Sequence, residues 1–132
     1  MANTLKTTTA NAVLDNLYDT RFGGATAIAE IRSGAPAGPD NTASGTLGAS
    51  ITCSGGWAAA ASKSKAKSGT AWTNTAAAAI TAAHYRLKNA GDTEREEGTV
   101  TLTGSGGDMT LDNTSIASGQ TVTITSYTRT LP

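Results

Sequence analysis

Thr121-Val122-Thr123-Ile124-Thr125-Ser126-Tyr127-Thr128 is the stretch on which the fold turns. Hydroxyl and apolar side chains alternate at period 2, the spacing of a strand with one face in a core and one in water. Thr99-Val100-Thr101-Leu102-Thr103 repeats the pattern upstream. The threonines at 99, 101, 103, 121, 123 and 125 suit a solvated sheet face.

Short strand-like runs extend outward from this stretch, broken by Gly-rich turns. Asp108-Met109-Thr110-Leu111 lies between Gly104-Ser105-Gly106-Gly107, read as a hairpin turn, and the turn formers Asp112-Asn113. Upstream, Ala82 to Lys88 alternates and ends at Asn89-Ala90-Gly91-Asp92. Gly45 to Cys53, Trp57 to Ala61 and Ala27 to Arg32 complete a set of seven or eight short strands. The alanine run 76 to 79 favours no single element, since threonines and Asn74 frame it. Residues 33 to 44 hold Pro36, Gly38, Pro39, Asp40 and Asn41, an unusually long loop.

Ahead of the strands, residues 8 to 20 read as one short helix. Ala10, Val13, Leu14 and Leu17 keep helical spacing, with Tyr18 beside them. Thr7 to Thr9 offer a cap, and Gly23-Gly24 close the segment. The expected architecture is mainly β: one domain over 1–132, an antiparallel β-sandwich or jelly roll from about 25 to 130, and one short N-terminal helix.

Composition narrows the function classes. Thr, Ala, Gly and Ser make up 74 of the 132 residues, while Leu, Ile, Val and Phe total 18. So thin a core suggests that contacts between subunits supply part of the stability. Ten basic and ten acidic side chains balance, which gives no overall field for nucleic acid or an anionic membrane. No apolar run approaches the roughly 20 residues of a membrane helix. The single Cys53 forms no internal disulfide, and with His84 it is too small a set for structural zinc.

No constellation carries chemistry. His84 is the only histidine, lies in a strand-like run, and has no nucleophile elbow to serve. Asp108, Asp112 and Asn113 lack the calcium-loop pattern and read as turn helpers. Glu94-Arg95-Glu96-Glu97 reads as a solvated acidic run. Lys63, Lys65 and Lys67 fall on one face of an extended segment, as an edge strand guarded by lysine or a contact for an acidic neighbour. Trp57 and Trp72 read as core anchors. No catalytic residue, cofactor or metal is expected.

The stretch His84-Tyr85-Arg86-Leu87-Lys88-Asn89, then Glu97-Gly98-Thr99-Val100, then Gly106 to Ser126 resembles a recurrent type of small structural protein of tailed-phage particles. The helix, strand and Pro/Gly loop at the N-terminal side fit the same type. By size and β character the chain also looks like phage cement proteins, jelly-roll oligomers on the outside of the head. The resemblance implies a capsid decoration protein at junctions between major capsid subunits, assembled in the host cytoplasm into the virion as a dimer or trimer. A tail, head–tail connector or fibre-attachment component is the alternative, and a carbohydrate- or receptor-binding module using Trp57 or Trp72 is a second. Candidate protein contacts are Leu14, Leu17 and Tyr18 on the helix, Pro36 and Pro39 in the loop, and Lys63, Lys65 and Lys67. The helix is expected to be separable from the sheet before Gly23-Gly24.

Overall fold

The computed structural model describes residues 3–132. Helix α1 spans Thr7–Asp15 and runs directly into a π-helical turn, Asn16–Arg21. Its first turn has no side-chain cap: Lys6 holds the cap position, and Thr7 to Thr9 lie exposed inside the helix. Ala10, Leu14, Tyr18 and Phe22 are all buried, four residues apart. That spacing slowly outruns the 3.6-residue turn of an α-helix. The wider π turn, seen in the Phe22 N–H bond to the Leu17 carbonyl (2.9 Å), carries Phe22 back onto the buried face. Gly23, at φ 88°, then ends the segment in the left-handed conformation that glycine adopts without strain.

Nine strands follow: β1 Ile28–Ser33, β2 Leu47–Thr52, β3 Ser64–Ala66, β4 Trp72–Thr75, β5 Ile80–Lys88, β6 Arg95–Leu102, β7 Met109–Leu111, β8 Ser115–Ile116 and β9 Thr121–Thr130. They form one curled, mixed sheet in the order β2-β1-β5-β6-β7-β9-β3, with β4 also on β9 and β8 on β5. The sheet curls until β4, on β9, lies against β2. The Ala77 N–H, just past β4, donates to the Gly48 carbonyl of β2 at 2.8 Å, and the Asn74 amide donates to the Ser50 carbonyl at 2.8 Å. Gly48 lets Ile80 pack close there, since a Cβ would lie 2.3 Å from the end of that side chain and push it aside.

Three local readings change. Residues 57 to 61 form no strand, only isolated bridges at Trp57–Lys67 and Ala61–Ser64. Gly104 to Gly107 is not a hairpin turn: β7 runs parallel to β6, pairing Val100 with Met109 and Leu102 with Leu111. Parallel neighbours usually need a crossover of a dozen or more residues. Here residues 103–108 suffice, because Gly104 and Gly106 take positive φ and the Thr101 hydroxyl accepts the Gly107 N–H at 2.9 Å. Glu94 to Glu97 is no solvated run: Arg95, Glu96 and Glu97 open β6, and the Glu97 side chain is 3% exposed.

One core joins the helix to both halves of the sheet, with Ile31, Ile51 and Leu87 from one side and Met109, Leu111 and Ile124 from the other. At its centre sit Tyr18, Phe22, Trp57, Trp72, Tyr85 and Tyr127, with Trp57 edge-on to Trp72 at 5.0 Å. The helix is therefore not separable from the sheet, because Leu14, Tyr18 and Phe22 are part of that core. Trp72 is fully buried and donates its indole N–H to the Ser54 carbonyl at 2.9 Å.

Candidate functional site

The helix lies against β3 through charge as much as through apolar contact. Lys65, opposite Arg129 in the β3–β9 register, is fully buried. Its ammonium donates to Asp15 at 2.6 Å and to Asp19 at 2.7 Å, carboxylates one helical turn apart. Burial pulls the Lys65 pKa down, and the hydrogen bonds to Asp15 and Asp19 more than reverse this, so the ammonium stays charged. The bond from Lys65, reinforced by the Ala60 N–H, lowers the Asp15 carboxyl. Asp15 and Asn11 also accept the Ala60 and Lys63 backbone N–H groups at 2.8 and 2.9 Å. Helix side chains thereby satisfy two N–H groups of the segment 57–63, those of Ala60 and Lys63, which would otherwise be open to a second sheet.

A second polar cluster ties the helix to the far side of the sheet. Glu96, only 11% exposed, accepts from Tyr18 (2.6 Å), Tyr85 (2.8 Å), Tyr127 (2.5 Å) and Arg129 (2.6 Å). These are all three tyrosines of the chain. The Tyr127 and Tyr18 hydroxyls are also 2.8 Å apart. Each hydroxyl has one proton, so when all three point at Glu96 the Tyr18–Tyr127 contact holds none, and the Arg129 charge balances the carboxylate. Burial first, and the Glu96 charge second, raise the pKa of each tyrosine well above its ordinary value.

The long loop is pinned by a third. Arg86 and Glu97, facing pairs in the β5–β6 register, form a buried ion pair. The Arg86 guanidinium also donates to the Gly38 and Asn41 carbonyls at 3.1 and 2.8 Å, and Glu97 accepts the Gly38 N–H at 2.9 Å. His84, fully buried, adds an Nδ1 bond to the Gly34 carbonyl at 2.8 Å. Because a carbonyl only accepts, Nδ1 carries the proton there.

The eight contact candidates separate under this geometry. Leu14, Tyr18 and Lys65 face inward and are closed to a partner. Lys63, at φ 62°, lies in the turn before β3. Lys67 donates to the Ser68 and Thr70 carbonyls, both at 2.8 Å, and stands over the Trp72 ring at 5.4 Å. The three lysines therefore form no row. Pro36 and Pro39 are exposed on the pinned loop. Leu17 is half-buried and borders an open groove of about 480 Å³ with Thr9, Ala12, Val13, Asn16 and Arg21. Val13 is 45% exposed, and Leu5, near the helix start, 41%. Asp108, Asp112 and Asn113 accept backbone N–H groups of Thr99, Thr123 and Ser115, as turn helpers do.

Lys65, Arg86, Glu96 and Glu97 all face inward against the outward reading of charged side chains, and for Glu96 the sequence does hold a signal. Carrying the alternation of Thr99–Thr103 back past Gly98 puts Glu96 on the face of Val100. No helix among the described residues is long and apolar enough to cross a membrane. Comparison with protein-family models, with curated proteins and with solved structures finds no match.

Proposed function

We propose that this protein is a structural subunit of a tailed-phage particle, a capsid decoration or cement protein bound at junctions between major capsid subunits. The observation that carries the reading is the outer face of the helix. Leu5, Val13 and Leu17 present apolar surface to solvent, while the inner face is locked to the sheet by Lys65 and Glu96. An apolar stripe on a rigid support is what a docking element requires. Asp15 and Asp19 are turned to Lys65, and Arg21 at the far end of the stripe is paired with Glu94, so Lys6 is the cation beside the stripe with no ion pair among the described residues. Its partner in this proposal is an apolar patch edged by carboxylates on the capsid shell, met many times over by symmetry. The protein would act as a dimer or trimer, without catalytic step, cofactor, nucleic acid or membrane, and be assembled in the host cytoplasm.

The same proposal reads the curled sheet as a variant of the jelly roll or β-sandwich. Support comes from β1, β2 and β5 sharing one core with β4, β7 and β9. The module stacking Trp57 or Trp72 on a sugar is not favoured, since the two rings are 8% and 0% exposed.

Quantitative mass spectrometry of purified particles tests the assignment. A copy number in simple ratio to the major capsid protein is expected; a dozen or so copies would move the protein to the tail or neck, and absence would end the structural reading. Val13→Asp should leave the isolated chain as stable as the parent yet lower its incorporation.

A further inference from the structure

Beneath the long loop lies a polar recess of about 340 Å³ that shares no lining residue with the groove on the helix. The outward face of β1, β5 and β6 forms its floor, where register aligns Glu30 with Arg86 and Glu97, and Lys88 with Arg95. Asp40 and Thr42 of the loop form its wall. Most of its charges are already paired. Glu30 holds Arg32 and Lys88, both at 3.1 Å, and Asp92 holds Arg95 at 2.7 Å.

Arg86 differs. Its side chain is 4% exposed, and Nε and Nη2 are committed to Glu97, Gly38 and Asn41. Nη1 has no hydrogen-bond partner among the described residues, yet it is not among the sealed, unpartnered atoms. Solvent therefore reaches it through the recess that Arg86 lines. An immobilised guanidinium with one nitrogen presented to a concave site is a preorganised anion receptor, since its ordering cost is met by the fold. Lys88 beside it keeps two ammonium protons beyond its contact with Glu30.

The remaining lining decides which anion. Arg32, Lys88 and Arg95 are paired with Glu30 and Asp92, which leaves Asp40 as the lining carboxylate with no ion pair among the described residues, so a compact dianion such as phosphate meets twice the repulsion there that a monoanion meets. A singly charged ligand bearing hydroxyl groups suits all of it: its carboxylate meets Arg86 and Lys88, and its hydroxyls donate to Asp40 and exchange with Thr42. The volume lies at the low end for small-molecule sites and takes about one sugar ring. The geometry points to an acidic-sugar site, with Arg86 Nη1 and Lys88 as the carboxylate subsite and the loop 34–46 as the side that reads hydroxyls. It stands independently of the capsid reading and involves no tryptophan.

Titration of the intact protein with glucuronate, followed by amide and arginine side-chain NMR, tests it, with glucose and inorganic phosphate as controls. Glucuronate should give saturable shifts centred on Arg86, Lys88 and Thr42; glucose should give none there, and phosphate should bind about tenfold more weakly or less. Lys88→Gln, which leaves the Arg86–Glu97 anchor intact, should weaken glucuronate about tenfold without moving the thermal midpoint appreciably. Three results would each overturn the proposal: no saturable glucuronate shift, equal shifts from phosphate or glucose, or glucuronate affinity unchanged in Lys88→Gln.

Discussion

Raising the pH should unfold this protein through its tyrosines. All three donate toward Glu96, and all are buried, at 0%, 3% and 2% exposure for Tyr18, Tyr85 and Tyr127. In the unfolded chain they ionise around the ordinary value of 10.0; in the fold, burial and the Glu96 charge hold them protonated well above it. Below pH 10 both states keep the protons, and the contribution to stability is complete. Above it the unfolded chain has lost protons that the fold retains, so stability falls as pH rises. One unit higher the loss is about 1.4 kcal/mol for each tyrosine, about 4 kcal/mol for three. Cys53, buried and pushed up to about 12 from 9.0, acts with the same sign from a lower pH. Against a whole-domain stability of about 5–15 kcal/mol, these losses place unfolding between about pH 10.5 and 12.5. The assay is far-ultraviolet circular dichroism alongside tyrosinate absorbance, in the parent and in Cys53→Ala. Because no tyrosine lies outside the cluster, the two signals should move together. Tyrosinate appearing while the native spectrum persists would show that the hydroxyls titrate in the fold, and the reasoning would be wrong.

Other perturbations probe the same links. Lys65→Met should change stability by under about 1.5 kcal/mol, because Asp15 and Asp19 are near half-exposed and regain water. The double variant Asp15→Asn, Asp19→Asn leaves the buried ammonium without a counter-charge and should cost about 3–5 kcal/mol by urea denaturation; equal losses for the two variants would refute the asymmetry. Gly98→Ala puts a Cβ 2.7 Å from the Tyr85 ring, which Glu96 prevents from retreating, and should lower the urea midpoint by an amount equivalent to about 1–3 kcal/mol.

Period-2 patterning identified most of the strands, most clearly in Thr99–Thr103 and β9, where apolar side chains alternate with hydroxyls. It failed wherever the chain changes phase. Strict alternation from Thr121 puts Tyr127 on the threonine face. In the fold, Ile124 and Tyr127 are both buried although three residues apart, because the β7–β9 register slips between Thr110 and Leu111. An irregularity of this kind flips every later side chain, and it is what delivers Tyr127 to Glu96. The lysines failed for a related reason. Ser62 and Lys63 take positive φ, so the segment 63–67 is not extended throughout and its alternate residues do not line one face.

The charged residues were the least legible, and the reason is physical. Pattern reading sends Lys, Glu and Arg outward because an isolated charge is costly to bury. A paired, hydrogen-bonded charge escapes that rule, and the partners of Lys65, Glu96 and Arg86 are distant in sequence: Lys65 reaches back 50 residues to Asp15, and Arg86 reaches 45 to Asn41. With so few large apolar side chains, hydrophobic burial alone specifies the placement of helix and loop weakly. Buried charge, which tolerates few alternative geometries, supplies that specification at three points: Lys65 sets the helix on β3, Glu96 joins it to β6 and β9, and Arg86 with Glu97 holds the loop over the sheet. Of the two surfaces proposed for recognition, the helix stripe is backed by the Lys65 and Glu96 clusters and the recess by Arg86 with Glu97. Weakening Lys65 or Glu96 should therefore disturb docking through the helix, and weakening Glu97 should disturb ligand capture through the loop.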